Sequence, residues 1–441
     1  MKRNRTLARL KPFIAGLLAV WLLTLMMGSA IVEAAPDKKD NKTQTPTQNN
    51  NPLGLDVQGA AILIDAVTGQ VLYGMNADTP LPPASMTKLM TEYIILEEIS
   101  AKRQSWDTVV TTSKEAASTP PDGSQIYLAE GDKHTLKDLY IAMEVGSAND
   151  ATVALAGHIA GSEQAFVEKM NETAQKLGLK TAHFTSATGL LETTIISARD
   201  LSKLAQILLR DHKEFLDYSK ISTYKFRERD KKPMLNWNWM LESHKNNPDA
   251  KGVRHLAYDG VDGLKTGFIS KAGYCFAGTA QRGDTRLITV VMNTKSKEAR
   301  FRETAKLLDY GFNEFERKTV VAPKTAIENA ATVNIKKGVS TEVPAITKSD
   351  ITFLVKKNSE PKIEQTRLDL LPEDQLIAPI SKEQKLGTVT YKYTDPSGQT
   401  VEKTVDLIAS EDVEKGSWWR LMFRAIKDFF VGLFKGIVDL F

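Results

Sequence analysis

Pro82-Pro83-Ala84-Ser85-Met86-Thr87-Lys88-Leu89-Met90 sets a serine at the start of an apolar helical pattern and a lysine one turn later. The prolines end any preceding regular structure. The apolar positions Leu89, Met90, Tyr93, Ile94, Leu96 and Ile99 predict a helix buried in a core. Residues three apart share a helix face, with Cβ atoms about 5–6 Å apart, so the Lys88 amine can reach the Ser85 hydroxyl. A serine hydroxyl is a poor nucleophile until a base takes its proton. A lysine is such a base when burial or a neighbouring cation depresses its pKa. The helix start adds N–H groups and a positive field able to stabilise an oxyanion. The tetrad alone reads equally as a capping serine with a solvated lysine. Ser-x-x-Lys occurs three times, at Ser85–Lys88, Ser222–Lys225 and Ser359–Lys362, and only the first opens a buried helix.

Outward from this stretch, Ala60–Asp65 and Val71–Gly74 read as strands joined by a turn containing Gly69. Thr135-Leu136-Lys137-Asp138 is a capping-box pattern opening a helix through Val145. Gly146-Ser147-Ala148-Asn149 interrupts it, and Ala151–Ile159 resumes helical. Ser162 caps a further helix to Leu177, and Ser197 opens one through Leu209. The period then changes. Val261–Gly267, Gly273–Gln281 and Arg286–Asn293 predict strands, the last two joined by a turn at Arg282-Gly283-Asp284, and a helix from Lys297 to Phe315 follows. Strands at both ends with helices between them predict an α+β domain over residues 55–317. Residues 318–408 are β-rich, with a hairpin pattern from Thr388–Tyr393 through Asp395-Pro396-Ser397-Gly398 to Val401–Leu407, and predict a small sandwich without chemistry of its own.

The two ends point to a membrane. Lys2, Arg3, Arg5, Arg9 and Lys11 precede an apolar run from Phe13 to Met27, and small residues lead to Ala34. Residues 1–34 are therefore read as a cleaved secretory signal, with export from the cytoplasm. The uncharged stretch Pro12–Val32 is also long enough to span a bilayer as an uncleaved anchor. Residues 35–54, rich in Pro, Asn, Thr and Lys, read as a linker. At the other end, residues 412–441 read as an amphipathic helix. Arg420, Arg424, Lys427, Asp428, Lys435 and Asp439 fall on one arc, and Trp418, Trp419, Phe423, Phe429, Phe430, Phe434 and Phe441 are among the apolar residues covering the rest. Such a helix lies in a membrane interface, because its charges recur too often for it to span.

The net charge is only +4, and beyond residue 34 acids and bases balance, so no basic face for nucleic acid is expected. The single cysteine, Cys275, stands in an apolar run and reads as a buried structural thiol. With the six histidines scattered, no metal and no cofactor are expected.

Two further motifs decide between the readings of Ser85. Ser147-Ala148-Asn149 is the only Ser-x-Asn, and it breaks an apolar helical hairpin. Lys265-Thr266-Gly267 is the only Lys-Thr-Gly, on an expected strand. A cation, a hydroxyl and a glycine on a strand edge can hold a carboxylate, and Gly267 would allow a close approach of substrate backbone. Together the motifs resemble the three signatures of the penicillin-recognising serine enzymes. The surrounding residues Ala84–Lys88, Val261–Gly267 and Ala272-Gly273-Tyr274-Cys275 resemble the D-alanyl-D-alanine carboxypeptidases, the low-molecular-mass penicillin-binding proteins. So does the order of signal, catalytic domain, β domain and terminal amphipathic helix. Phe268, where many relatives carry His, and Ala148, where Gly is common, depart from the pattern.

The resemblance implies a β-lactamase/transpeptidase-like fold with an antiparallel sheet and helices. It implies that Ser85 attacks the peptide bond between two terminal D-alanines of a peptidoglycan stem peptide, with Lys88 as base. Ser147 relays a proton to the leaving amine, assisted by Lys265. Asn149 orients Lys88 and the substrate amide, and Lys265 and Thr266 bind the terminal carboxylate. The N–H groups of Ser85 and Phe268 form the oxyanion hole, and penicillins acylate Ser85. The protein would work at the outer face of the bacterial cytoplasmic membrane. The rivals are a β-lactamase, against which no Glu-x-x-Leu-Asn-like segment is found between Asn149 and Lys265, a transpeptidase, and a non-catalytic wall-binding scaffold.

Overall fold

The structure is a computed structural model, and it describes residues 51–395 and 398–438. The signal, most of the linker, Pro396 and Ser397 of the expected turn, and the last three residues lie outside the described residues.

The sheet of the first region joins strands from the two ends of its sequence. Its strands are β1 (Ala60–Asp65), β2 (Val71–Met75), β3 (Val261–Gly263), β4 (Thr266–Ile269), β5 (Gly273–Arg282) and β6 (Thr285–Thr294). Their order is β4-β5-β6-β1-β2, with β3 also on β5, and every pairing is antiparallel. The unbroken apolar run of β1 follows from burial on both faces. Ala60, Ile62 and Ile64 join the core beneath the helices, while Ala61 and Leu63 pack on the opposite side with Phe301, Leu307 and Leu308. The single strand expected over Val261–Gly267 is two strands, parted at Leu264–Lys265.

Helix α1 (Lys88–Ser100) runs through the first of these cores. Leu89, Met90, Ile94, Ile95 and Leu96 point to different sides and are all buried, as expected of a helix enclosed all round. Around it pack α2 (Leu136–Gly146), α3 (Asn149–Ala160), α4 (Glu163–Lys176) and α5 (Ala198–Asp211). Thr135, Ser162 and Ser197 cap α2, α4 and α5 through their side-chain oxygens, as the sequence predicts. Helix α6 (Lys297–Glu314), capped by Ser296, covers the far sheet face.

The linker ends earlier than expected. Asn51 is already folded, because its Oδ1 accepts from the Leu55 N–H and from the Tyr73 hydroxyl.

The second region starts within β7 (Phe315–Val321), which pairs with β10 (Ile351–Lys356). A second antiparallel sheet runs β8 (Thr332–Asn334), β9 (Glu342–Thr347), β13 (Thr400–Ala409), β12 (Lys385–Thr394) and β11 (Lys362–Leu370) in that spatial order. Val321, Phe353 and Val355 from one sheet meet Val389, Tyr393 and Leu407 from the other, which makes the expected sandwich. The buried ion pair of Arg317 with Asp65, at 2.7 Å, ties this region to β1.

Helix α7 (Trp418–Val438) begins later than residue 412. Val413 is buried and exchanges backbone hydrogen bonds with Ile380, and the Gly416 N–H donates to Lys337, so this stretch belongs to the sandwich. Trp418, Trp419, Phe423, Phe429, Phe430 and Phe434 are exposed, while Arg420 and Arg424 donate to the carbonyls of Val339 and Gly338. Among the described residues no helix is long and apolar enough to cross a membrane.

Candidate active site

Ser85 does not sit on an α-helix. Ala84–Thr87 is a 3₁₀ turn that runs into α1 at Lys88, and Ala84 is held at φ 51°. The tighter turn brings the i, i+3 pair together, with Lys88 Nζ 3.2 Å from Ser85 Oγ. Lys88 is fully buried, and its amine also lies 2.7 Å from Asn149 Oδ1 and 3.0 Å from the Thr188 carbonyl oxygen. Burial, and next the charge of Lys265, hold the Lys88 pKa well below its ordinary 10.5, against Glu92, Glu163 and Asp150. A lowered pKa favours the neutral form of the Lys88 amine, the form a general base requires.

The break between α2 and α3 places the second motif. Ser147 closes α2 in the left-handed region (φ 57°), which turns the chain so that Asn149 starts α3 pointing at Lys88. Asp150 is buried, and its carboxylate accepts the N–H groups of Ile126, Leu128 and Ala151. It thereby fixes the segment that carries Asp122, Gly123 and Ser124, and the Ser124 carbonyl accepts the Asn149 N–H at 2.8 Å.

The third motif lies on β4 and its approach. Gly267 also has a packing reason. A Cβ there would stand 2.5 Å from the Pro83 carbonyl oxygen and 3.1 Å from Ala84 Cβ, so the glycine lets the strand press against the nucleophile turn. Phe268 is half exposed and stacks on Tyr274 at 4.4 Å between ring centroids.

These motifs meet at one pocket of about 180 Å³, lined by Ser85, Ser147, Thr266, Gly267 and Phe268 together with Asp122, Gly123, Ser124, Trp237, Tyr274, Lys297 and Arg300. Lys88, Asn149 and Lys265 are outside its lining and lie buried beneath it. Burial lowers the Lys265 pKa, and Glu144 and Glu92 oppose that. The other two tetrads come nowhere near. The Ser222 hydroxyl accepts from the Asn247 side chain, and the Ser359 hydroxyl donates to the Lys356 carbonyl at the surface. Cys275 is buried on β5, with its thiol pushed up to about 11 by burial.

Sequence reading missed Arg300, Lys297 and Trp237. Arg300 is buried, donates to the carbonyls of Gly267 and Cys275, and has its pKa lowered to about 10 by burial. Lys297 lies over the Trp237 ring. The two cations come from α6, one turn apart, and reach the pocket because α6 packs on β5 and β6. No local pattern marks them.

Residues 43–296 match the D-alanyl-D-alanine carboxypeptidase family, and residues 315–415 match the C-terminal domain of penicillin-binding protein 5. The chain is 32% identical over 412 residues, covering 92% of it and 98% of the relative, to the D-alanyl-D-alanine carboxypeptidase DacF of Bacillus subtilis (strain 168). Its fold is similar to penicillin-binding protein 5 of Haemophilus influenzae, with a TM-score of 0.64 and 29% identity over 87% of this chain and 100% of that one. It is also similar to the cefotaxime-bound form of penicillin-binding protein D2 of Listeria monocytogenes, with a TM-score of 0.51 and 33% identity over 58% of this chain and 98% of that one.

Proposed function

The chain belongs to the D-alanyl-D-alanine carboxypeptidase family, and from that premise we propose that Ser85 is the nucleophile and Lys88 its general base. The protein is a serine-type D-Ala-D-Ala carboxypeptidase of the penicillin-binding kind. The observation that carries the assignment of residues is the environment of the Lys88 amine. In its neutral form the amine has two N–H groups, which the acceptors Asn149 Oδ1 and the Thr188 carbonyl would take, leaving its lone pair for Ser85 Oγ at 3.2 Å.

That geometry and the family membership support the following course of reaction. Ser85 Oγ attacks the carbonyl carbon of the bond between the two terminal D-alanines, and its proton passes to Lys88. The developing oxyanion is held by the N–H groups of Ser85 and Phe268. Thr266 binds the terminal carboxylate from the pocket wall, and Arg300 and Lys265 supply positive charge beside and beneath it. The tetrahedral intermediate collapses as the C–N bond breaks, and Ser147 hands its hydroxyl proton to the departing amine while taking in its place the proton that Lys88 had accepted. Water then attacks the acyl-enzyme ester and regenerates Ser85. Penicillins stop the cycle at the acyl stage. Incubation with a pentapeptide ending in D-Ala-D-Ala is expected to release one D-alanine per peptide, and saturating penicillin to suppress that release. Hydrolysed penicillin or cross-linked peptide as the main product would instead assign a β-lactamase or a transpeptidase.

For location, we propose an exported enzyme at the outer face of the cytoplasmic membrane, with the catalytic domain over about 55–317, the sandwich after it, and α7 lying in the interface. The support is the exposed aromatic face of α7, while Arg420 and Arg424 are turned to the sandwich. Each apolar side chain of this size gains about 1.5–3 kcal/mol when removed from water. A chain ending at Gly416 should therefore lose at least about 100-fold in partitioning to phosphatidylglycerol-containing vesicles and keep full activity on soluble peptide. Unchanged co-flotation with vesicles would reject the anchor. Ending at Gly416 spares Val413, which the sandwich core needs.

A further inference from the structure

Beneath the pocket, α1 and α2 bring together two glutamates that the reaction above does not use. Glu92 lies one turn beyond Lys88 on α1, and Glu144 lies near the end of α2. They are 0% and 1% exposed, and their carboxyl groups face each other. No N–H or hydroxyl donor reaches any of their four oxygens among the described residues, which leaves each carboxyl only the other as a partner. The Tyr140 hydroxyl, also buried and without a partner, faces the same spot. Lys265 faces both glutamates from the β3–β4 connection, and Lys88 faces Glu92. Arg300 of α6 acts on Lys265 from its other side. Glu163 and Asp150 act on Lys88, and Tyr218 and Glu214 act on Tyr140.

Two facing carboxylates in a dry interior cannot both ionise, since each would be desolvated and repelled by the other. A single proton between them makes a hydrogen-bonded dyad of charge −1, as in other carboxyl pairs that share a proton. Lys265 is the buried lysine whose proton both carboxyls favour. We propose that Glu92 and Glu144 form a proton-sharing dyad whose one negative charge keeps Lys265 cationic while Lys88 beside it stays neutral, and so positions the charge that recognises the substrate carboxylate. Burial and the neighbouring carboxyl raise Glu92, and burial raises Glu144, in keeping with a retained proton. Burial lowers both lysines; Glu144 and Glu92 oppose it at Lys265, while at Lys88 Glu92 opposes it and the charge of Lys265 adds to it.

This inference rests on the carboxypeptidase reading, and the test separates the two. Glu92→Gln and Glu144→Gln each leave one carboxylate and a neutral hydrogen-bonding partner, so each is expected to lower kcat/KM by no more than about fivefold. The double variant removes the charge. Its KM for a D-Ala-D-Ala peptide is expected to rise at least about 30-fold, with kcat changing less. The basic limb of its kcat/KM–pH profile should move to lower pH, because Lys265 without a counter-charge loses its proton more readily. End-point labelling of Ser85 by fluorescent penicillin should remain stoichiometric in all three variants.

A double variant with the wild-type KM and basic limb would overturn the dyad, as would single variants as impaired as the double. Should the double variant not fold, infrared spectra of the wild type decide. The carbonyl stretch of one buried protonated carboxyl at neutral pH, lost in each single variant, supports the dyad, and its absence from the wild type overturns it. A wild-type protein that neither releases D-alanine nor takes penicillin would defeat the carboxypeptidase reading and leave the infrared result standing.

Discussion

Ser85→Ala protein is expected to release no measurable D-alanine and to take up no covalent penicillin, a fall on the order of 10⁶-fold in turnover, as when a nucleophile is removed from a triad that acts as a unit. Both losses have one origin, because peptide and drug acylate the same oxygen. The fold should be indifferent to the change. The Ser85 hydroxyl has one protein partner among the described residues, the Lys88 amine, and the 3₁₀ turn is formed by backbone bonds and by packing of Ala84 and Met86. The melting temperature should therefore stay close to that of the wild type. Intact-mass spectra after penicillin treatment, beside a D-alanine assay, check both halves. A penicillin adduct on the Ser85→Ala protein would move the nucleophile elsewhere, and the surface hydroxyls of Ser222 and Ser359 have no buried base to activate them.

Replacing Lys88 by Met should lower kcat/KM by up to about 10⁴-fold, the range of a general base. Lys88→Arg should fail equally, because a guanidinium keeps its proton and offers no lone pair to Ser85. In the wild type, acylation should rise with pH through the lowered Lys88 pKa, since only the neutral amine accepts the serine proton. The same shift sets a sign for stability. Between the lowered native pKa and 10.5, the unfolded chain binds a proton at Lys88 that the native chain does not. Lys88 therefore opposes folding in that window, and its cost shrinks as pH rises toward 10.5. An acylation rate flat across the acid side, in a protein that stays folded there, would remove Lys88 as the base.

The legible part of this protein is the part written in local pattern. Thr135, Ser162 and Ser197 announced their helices, because a cap bonds to N–H groups three residues on. The two-sided burial of β1 showed as an unbroken apolar run. The boundaries set by long-range partners were not legible. Asn51 is folded because Tyr73 bonds it, and the stretch around Val413 is held by Ile380. Neither partner is near in sequence.

At the site, the sequence by itself determined which groups are proposed to react. Ser85 and Lys88 are three residues apart, and Ser147 and Asn149 sit on a helix break, so their mutual reach follows from backbone geometry. What only the tertiary structure decided is their charge and depth. Lys88 and Lys265 are the same residue type, and burial lowers both. Which charged groups act on each amine depends on how helices α1 and α2 pack against each other. Arg300 and Lys297 arrive by the same kind of packing, from α6. The lining of the pocket by Thr266 rather than Lys265 depends on the strand break at Leu264–Lys265. Electrostatics in a dry interior depend on distance through space, and no spacing along the chain encodes that distance.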